Sequence, residues 1–535
     1  MGLAALVLFN AGPFILNAFG RGIPVRTLAG PAAALGALWI AGMIWPRAFW
    51  NARAGAAAAL LILSSMAFCR LTMPENGYSI PPPVNKNGPP ATFKDYNLIV
   101  VSLDTLRADR VGAYGYRRNT TPALDRLARE SVLFENAVSS APATLSSHAT
   151  AFTGLYPGAH GAQVMTHSAL PASALTLAEI LKSRGYATGG FTGGAQLSRN
   201  FGMAQGFDAY KDDAMDMASI WPEARRWLDA RTGRKFFLFL HSYDIHTPYD
   251  PPPPFNRSFN PDYNGPLPDA ITLDIAKRVS DGRIRATAAD LDHINAQYDA
   301  GVRYTDTYIQ ALVDYLDENE LLNSTLLVVM SDHGEELGER GTVGMHAHSL
   351  HAEALHVPLI MRLPGGGTGQ RRAQRVGLVD LTPTLLDLLA IPYETGQFQG
   401  RSFAWLTGNG TKRADSRRVL LAEREHSYTE RTGRAMAVYA GGFKLITRTP
   451  PPAETVLMKW AGDLAYPAQG RALYDMKADP AERSDLLAAR VQQARALDAL
   501  AARLGQWNRA MALAGATAGV SRHERDKLKG LGYLN

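Results

Sequence analysis

Asp104, Thr144 and the adjacent pair Asp332-His333 offer two carboxylates, a hydroxyl and an imidazole. A hard or borderline divalent ion accepts all three ligand types. A metal-bound threonine hydroxyl loses its proton far more readily than a free one, and so becomes a nucleophile near neutral pH. Thr144 lies in "SSAPATLSSHATAFTGLYPG" (139–158), where Ser139, Ser140, Ser146 and Ser147 crowd around it before His148 and an apolar run. A helix is expected here, with Pro142 and Thr144 at its beginning, and a hydroxyl at that place is by itself an ordinary helix start. The same start presents amide donors and the positive dipole end to an incoming phosphoryl or sulfuryl group. In-line displacement would leave a covalent threonine ester, resolved by water or by an acceptor alcohol.

Two further phrases, "HSYDIHTPYDPPPP" and "GMHAHSLHAEALHVP", hold six of the thirteen histidines. They are too many to ligate one ion. His246, in an extended segment before Thr247-Pro248, is placed to contact an anionic substrate. His346 and His348, in a Gly-flanked loop, are placed to bind substrate oxygens or a second ion. His241 ends a strand, and His351 and His356 fall on a helix face with a structural role.

The elements that must position these groups follow a repeated pattern of apolar run, polar cluster and helical period. "YNLIVVSLDTLRADR" predicts a strand at 97–102, "KFFLFLHSYDIHTPY" one at 236–240, and "STLLVVMSDHGEELGER" one at 325–330; "YATGGFTGG" and "VPLIMRLPG" add short strands. Continuous apolar strands alternating with helices imply an α/β fold, a mostly parallel sheet flanked by helices and buried on both faces. Ligands bind beyond the carboxyl ends of such strands. Asp104, His246 and Asp332 all fall there. The catalytic domain is expected over 93–406, with a smaller C-terminal α+β subdomain over 407–535. The latter contains a hairpin at 435–447 turning at Gly441-Gly442, a strand at 472–476, and an amphipathic docking helix over 482–507 with Leu487, Val491, Leu497, Leu500 and Leu504 on one face.

From Met1 to Pro74 the chain has no Asp, Glu or Lys and carries five arginines, which leaves about +1 of the formal +6 for the rest. The high pI is therefore no argument for nucleic acid. The stretches 27–45 and 54–69 are long enough, the second with Phe49 and Trp50, to be transmembrane helices contacting membrane lipids; 1–19, interrupted by Asn10, Pro13 and Asn17, is a weaker third. Arg47 and Arg53 flank the short loop between the two strong spans, which puts that loop in the cytoplasm and the catalytic domain outside the cell membrane. Residues 71–92 form a Pro/Gly-rich linker. One cysteine, Cys69, excludes an intrachain disulfide. Oligomeric state is left open.

Over residues 93 to 480 the chain resembles the sulfatase family of the alkaline phosphatase superfamily. The phrases that carry the resemblance are "NLIVVSLDTLRADRVGAYGY", "TPALDRLARESVLFENAVS", "FTGLYPGAHG", "LHSYDIHTPYDPP", "SDHGEELGERG", "EALHVPLIMRLPG", "VDLTPTLLDLLAI", "GRSF" and "ALYDMKADPAE". Where that family carries Cys- or Ser-x-Pro-Ser-Arg, with formylglycine made from its first residue, this chain has Thr144-Leu145-Ser146-Ser147-His148. The family's Asp-Asp and Asp-Asn pairs are Asp104-Thr105 and Asp332-His333, and its lysine is His346. The resemblance implies a divalent-metal-dependent enzyme (Ca, Mn, Zn or Mg) that cleaves or transfers a phosphate or sulfate ester. In it Asp104, Thr144, Asp332 and His333 hold the metal, Thr144 is the nucleophile, His246 and His346 bind the transferred group, and His148 stands for the family's arginine. Threonine in this place resembles nucleotide pyrophosphatases, lipoteichoic acid synthase and phosphoethanolamine transferases, so transfer to a lipid or glycan is one alternative. A non-catalytic binding domain is another.

Overall fold

The computed structural model describes residues 93–163, 168–231, 233–367, 369–394, 396–408, 418–424, 434–449 and 470–531, together with the backbone of 15–18 and 21–24. Ile15–Ala18 pairs antiparallel with Arg21–Pro24, and the rest of the third apolar stretch lies outside the described residues. The two stronger apolar stretches and the linker lie outside the described residues. Among the described residues no helix is long and apolar enough to cross a membrane.

The main sheet consists of β1 (Asn97–Leu103), β2 (Val132–Val138), β3 (Ala187–Phe191), β4 (Ala209–Lys211), β5 (Phe236–Ser242), β6 (Thr325–Met330), β7 (His356–Val357), β8 (Leu359–Arg362) and β9 (Gln370–Gly377). Their order is β7-β2-β8-β6-β1-β5-β3-β4, and β9 also pairs with β2. The five strands from β6 to β4 are parallel. Beyond them β8 runs antiparallel to both β6 and β2, and β7 antiparallel to β2, so the sheet is mostly parallel, as expected, with β7 and β8 reversed. The run "VPLIMRLPG" did not reveal this, because a short apolar strand reads the same in either direction.

Every residue of β1, β5 and β6 is buried. Alternation divides them between two cores. Leu98, Val100, Phe237 and Phe239 face one side, while Ile99, Val101, Leu238 and Leu240 face the other. Each such side chain contributes roughly 1.5–3 kcal/mol of burial, which fixes the register of the central strands. That register sets Ser102 opposite both His241 and Met330.

Three helices matter here: α1 (Thr144–Thr153), α2 (Ala288–Glu318) and α3 (Val491–Met511). Helix α1 is buried along its whole length and ends at Gly154, whose φ of 64° is a left-handed cap. A four-stranded antiparallel sheet follows, formed by β10 (Leu420–Arg424), β11 (Arg434–Ala440), β12 (Phe443–Thr449) and β13 (Gly470–Asp475), with Gly441 and Gly442 at the predicted turn. Leu497, Leu500 and Leu504 of α3 join its core. The docking helix starts at Val491, not at 482. Asp485 accepts from the Leu473 and Leu487 amides at 2.9 Å each, and this side-chain turn holds the chain out of helix until Arg490.

Candidate active site

The carboxyl ends of β1, β5 and β6 bring three chain segments to one place, and the start of α1 supplies a fourth. Asp104 follows β1 directly. Its Oδ2 accepts from Thr144 Oγ1 at 3.3 Å and from His241 Nε2 at 2.9 Å. Thr144 Oγ1 is also 3.3 Å from His333 Nε2. Asp332 Oδ1 accepts from the amides of His333 at 2.9 Å and Thr105 at 3.4 Å, which ties the end of β6 to the end of β1. All four side chains are fully buried.

The crowded hydroxyls have separate roles. Ser147 Oγ donates to the Asp332 carbonyl at 2.7 Å and meets Ser139 Oγ at 3.0 Å, while Ser146 Oγ donates to the Ala162 carbonyl at 2.9 Å. Thr144 is the one of these four whose hydroxyl faces the carboxylates. It is the first residue of α1, after Ala143 in extended conformation. Gln196 Oε1 accepts from the next amide, Leu145, at 3.1 Å.

One donor atom each from Asp104, Asp332 and His333 lies within 4.8 Å of the others. Asp104 Oδ1 and Asp332 Oδ2 accept no hydrogen bond among the described residues, although both are buried. Two buried carboxylates with lone pairs left over, an imidazole and a hydroxyl form a donor set that fits a divalent cation. The electrostatics agree. Burial, and then the neighbouring Asp332, push the Asp104 carboxyl well above the usual range. Burial pushes Asp332 the same way, but His333, His148 and His241 outweigh it and hold that carboxyl low. Burial opposes protonation of His333, yet the two carboxylates raise it. A carboxylate pair this close calls for a counter-charge.

His246 and His346 stand beside this cluster, their rings 4.8 Å apart, and the His346 ring is 4.6 Å from that of His333. His346 Nδ1 is 3.0 Å from Glu335 Oε1. His246 Nδ1 donates to the Thr247 carbonyl. Burial lowers the His246 imidazole to about 3 and the His346 imidazole well below its ordinary value, so both are neutral. His346 and His348 are each 7% exposed, and Asp104, Thr144, Asp332 and His333 are at 0%.

His148 lies inside α1 beside the carboxylate pair, its Nδ1 3.5 Å from Asp332 Oδ2 and 2.8 Å from the Thr144 carbonyl, and its Nε2 2.9 Å from Ser102 Oγ. Both ring nitrogens thus hold the helix start against β1, and burial first of all lowers the imidazole to about 4. His348 turns to Glu336, Nε2 to Oε2 at 3.0 Å, and its Nδ1 is 2.9 Å from the His346 carbonyl. His351 Nδ1 is 2.8 Å from Glu482, and His356 Nε2 is 2.8 Å from the Glu135 carbonyl, both away from the carboxylate pair. Thr105 and Ala347, at φ 57° and 64°, hold left-handed backbone next to Asp104 and between His346 and His348. Non-glycine residues persist there only where the surroundings impose it.

Two further residues join the site by contacts that their place in the sequence does not assign. His241 bonds Asp104, and the signal was a polar residue within the apolar strand "FFLFLHS". Glu335 supports His346, and the signal was the second acidic position of "SDHGEE".

A family model described as Sulfatase matches residues 96–391, more than half of the chain. An ulvan-active sulfatase of Formosa agariphila is 26% identical over 425 residues, 73% of this chain and 77% of that protein. The multifunctional alkaline phosphatase superfamily protein PehA of Trinickia caryophylli is 25% identical over 306 residues, 51% of this chain and 55% of that protein. Among solved structures, the phosphonate monoester hydrolase of Agrobacterium radiobacter superposes with a TM-score of 0.58 at 20% identity, covering 78% of this chain and 96% of that one.

Proposed function

We propose, because this chain belongs to the sulfatase family, that it is a family hydrolase which opens a sulfate or phosphate ester with Thr144 as nucleophile. The observation that carries this is the position of Thr144 Oγ1, 3.3 Å from both Asp104 Oδ2 and His333 Nε2 at the start of a buried helix. Support for both ester classes comes from relatives named as a sulfatase and as a multifunctional alkaline phosphatase superfamily protein. Asp104, Thr144, Asp332 and His333 would hold a divalent cation, which supplies charge neutralisation and a lower hydroxyl pKa.

The chain's own groups do the rest. Asp104 Oδ2 takes the hydrogen bond of the Thr144 hydroxyl and aims its oxygen along the start of α1. The Thr144 hydroxyl proton passes to Asp104 Oδ2, a bond forms from Thr144 Oγ1 to sulfur or phosphorus, the bond to the ester oxygen breaks, and the departing oxygen takes a proton from water and leaves as the alcohol. His246 and His346, whose rings lie beside the cluster, contact the oxygens of the transferred group. Water resolves the threonine ester in hydrolysis. Mass spectrometry of the 139–158 peptide, after an acid quench during turnover of aryl sulfate and aryl phosphate, tests this reading. An adduct on Thr144 supports it, and wild-type turnover in Thr144→Ala refutes it.

We also propose that residues 27–45 and 54–69 anchor the enzyme, with the catalytic domain on the outer face of the cell membrane. Arg47 and Arg53 support that orientation. The same anchor favours transfer to a lipid or glycan acceptor as a second reading. Protease accessibility of the catalytic domain in intact spheroplasts tests the orientation; complete protection there excludes it.

A further inference from the structure

We propose that a cavity where the C-terminal sheet meets the main sheet is an anion site separate from the active site, and that its arginines take an oxyanion of the sulfate or phosphate class. The cavity holds about 150 Å³, roughly the volume that admits a six-membered ring. Its walls come from the end of β9, from Asp380, from the segment 401–406 with Arg418, and from Gly441-Gly442 at the turn between β11 and β12. None of the active-site residues described above is among those lining it.

Arg375, Arg401 and Arg418 bring three guanidinium groups to this cavity, and Asp380 is the one carboxylate among the described lining residues. Asp380 is already engaged. Its Oδ1 accepts from the Arg401 amide at 2.7 Å and from the Arg418 guanidinium, and its Oδ2 accepts from the Gly377 amide at 3.0 Å. Arg375 is held in another way: its guanidinium lies over the Tyr439 ring, 5.1 Å from the centroid, and no carboxylate pairs with it among the described residues. Glu482 acts on it only from a distance, because Lys444 and His351 take that carboxylate at 2.6 and 2.8 Å. Burial works against the Arg375 charge, and a bound oxyanion offsets that penalty. A planar guanidinium fork matches two oxygens of a sulfate or phosphate at once, which an ammonium does not. Trp405 adds an aromatic wall, suited to a ring that carries the anionic group. The same chemistry serves a free inorganic ion or a group borne on a ring, and the test separates them.

The full chain, purified in detergent and stripped with chelator, is titrated by calorimetry with sodium sulfate and with benzenesulfonate, which has no ester bond to open. The expected result is saturable binding that survives Asp332→Asn and weakens at least about tenfold in Arg375→Met and in Arg401→Gln. Thermal melting identifies a variant that has not folded, and the other arginine variant then decides. Benzenesulfonate binding more tightly than sulfate, with the difference abolished in Trp405→Leu, identifies a ring-borne group; equal affinity for the two identifies a free ion. No saturable binding in the wild type overturns the proposal, and so does wild-type affinity in both arginine variants. Binding lost in Asp332→Asn but intact in the arginine variants also overturns it, and places the anion in the active site.

Discussion

Thr144 Oγ1 and Asp104 Oδ2 lie 3.3 Å apart although forty positions separate them in the chain. Strand β1 delivers one and helix α1 the other. Removing the hydroxyl should therefore abolish chemistry without dismantling the carboxylate pair. Thr144→Ala is expected to lose at least about 10³-fold in kcat while retaining bound metal, and Thr144→Ser to keep measurable turnover. Steady-state rates and metal content on the same preparations check this; wild-type kcat in Thr144→Ala would end the nucleophile assignment.

His241 should act through Asp104. Its Nε2 bonds the same Oδ2 that faces Thr144, and groups in this position typically change metal affinity by roughly 10–100-fold. His241→Ala is expected to weaken cation affinity by about that factor and to be rescued in part by a large excess of metal. Affinity equal to wild type would show that Asp104 needs no such support.

Gly334 has no room for a side chain. A β-carbon would sit 2.0 Å from the Glu353 carbonyl oxygen and 2.9 Å from Arg107 Cγ. Gly334→Ala should push the Asp332-His333 segment off β6, at a cost of about 1–3 kcal/mol, and lower metal affinity as well. Thermal melting and calorimetry together check this; an unchanged melting temperature would mean that the loop yields easily.

His160 predicts a pH dependence separate from the site. The Ala162 amide donates to its Nδ1 at 3.1 Å, and its Nε2 meets Thr150 Oγ1 at 3.1 Å, so the ring is neutral in the fold. Burial lowers it from 6.5 to about 3. The unfolded chain binds this proton below pH 6.5 and the folded chain does not, so stability falls as pH drops through that window and levels off near 3. His160→Gln should show a shallower loss of stability between pH 6.5 and 4 than the wild type; identical slopes in denaturant titrations would remove His160 as the cause.

Much of the site could be read from strand ends alone. Asp104 and Asp332 were marked because each follows a run too apolar to be anything but a buried strand, and Thr144 because a hydroxyl begins a buried helical run. What could not be read was direction and pairing. His148 and His348 share the residue type of His246, yet the first turns into its own helix and the second to Glu336. A sequence gives an imidazole's place but not the rotamer that chooses its partner. His241 was set aside for a related reason: its role depends on the register that places β5 beside β1, and that register is set by two cores at once.

Ser102 faces His241 on one side and Met330 on the other, and this alignment limits how the protein can change. Adding or deleting one residue within any of these three strands turns every later side chain to the opposite face, moving a donor from the shared edge into apolar packing. Length changes in the connections between strands leave the alignment alone. Tolerance to insertion should thus divide sharply along the chain, with variation free to accumulate in the loops while the reacting groups stay in fixed order.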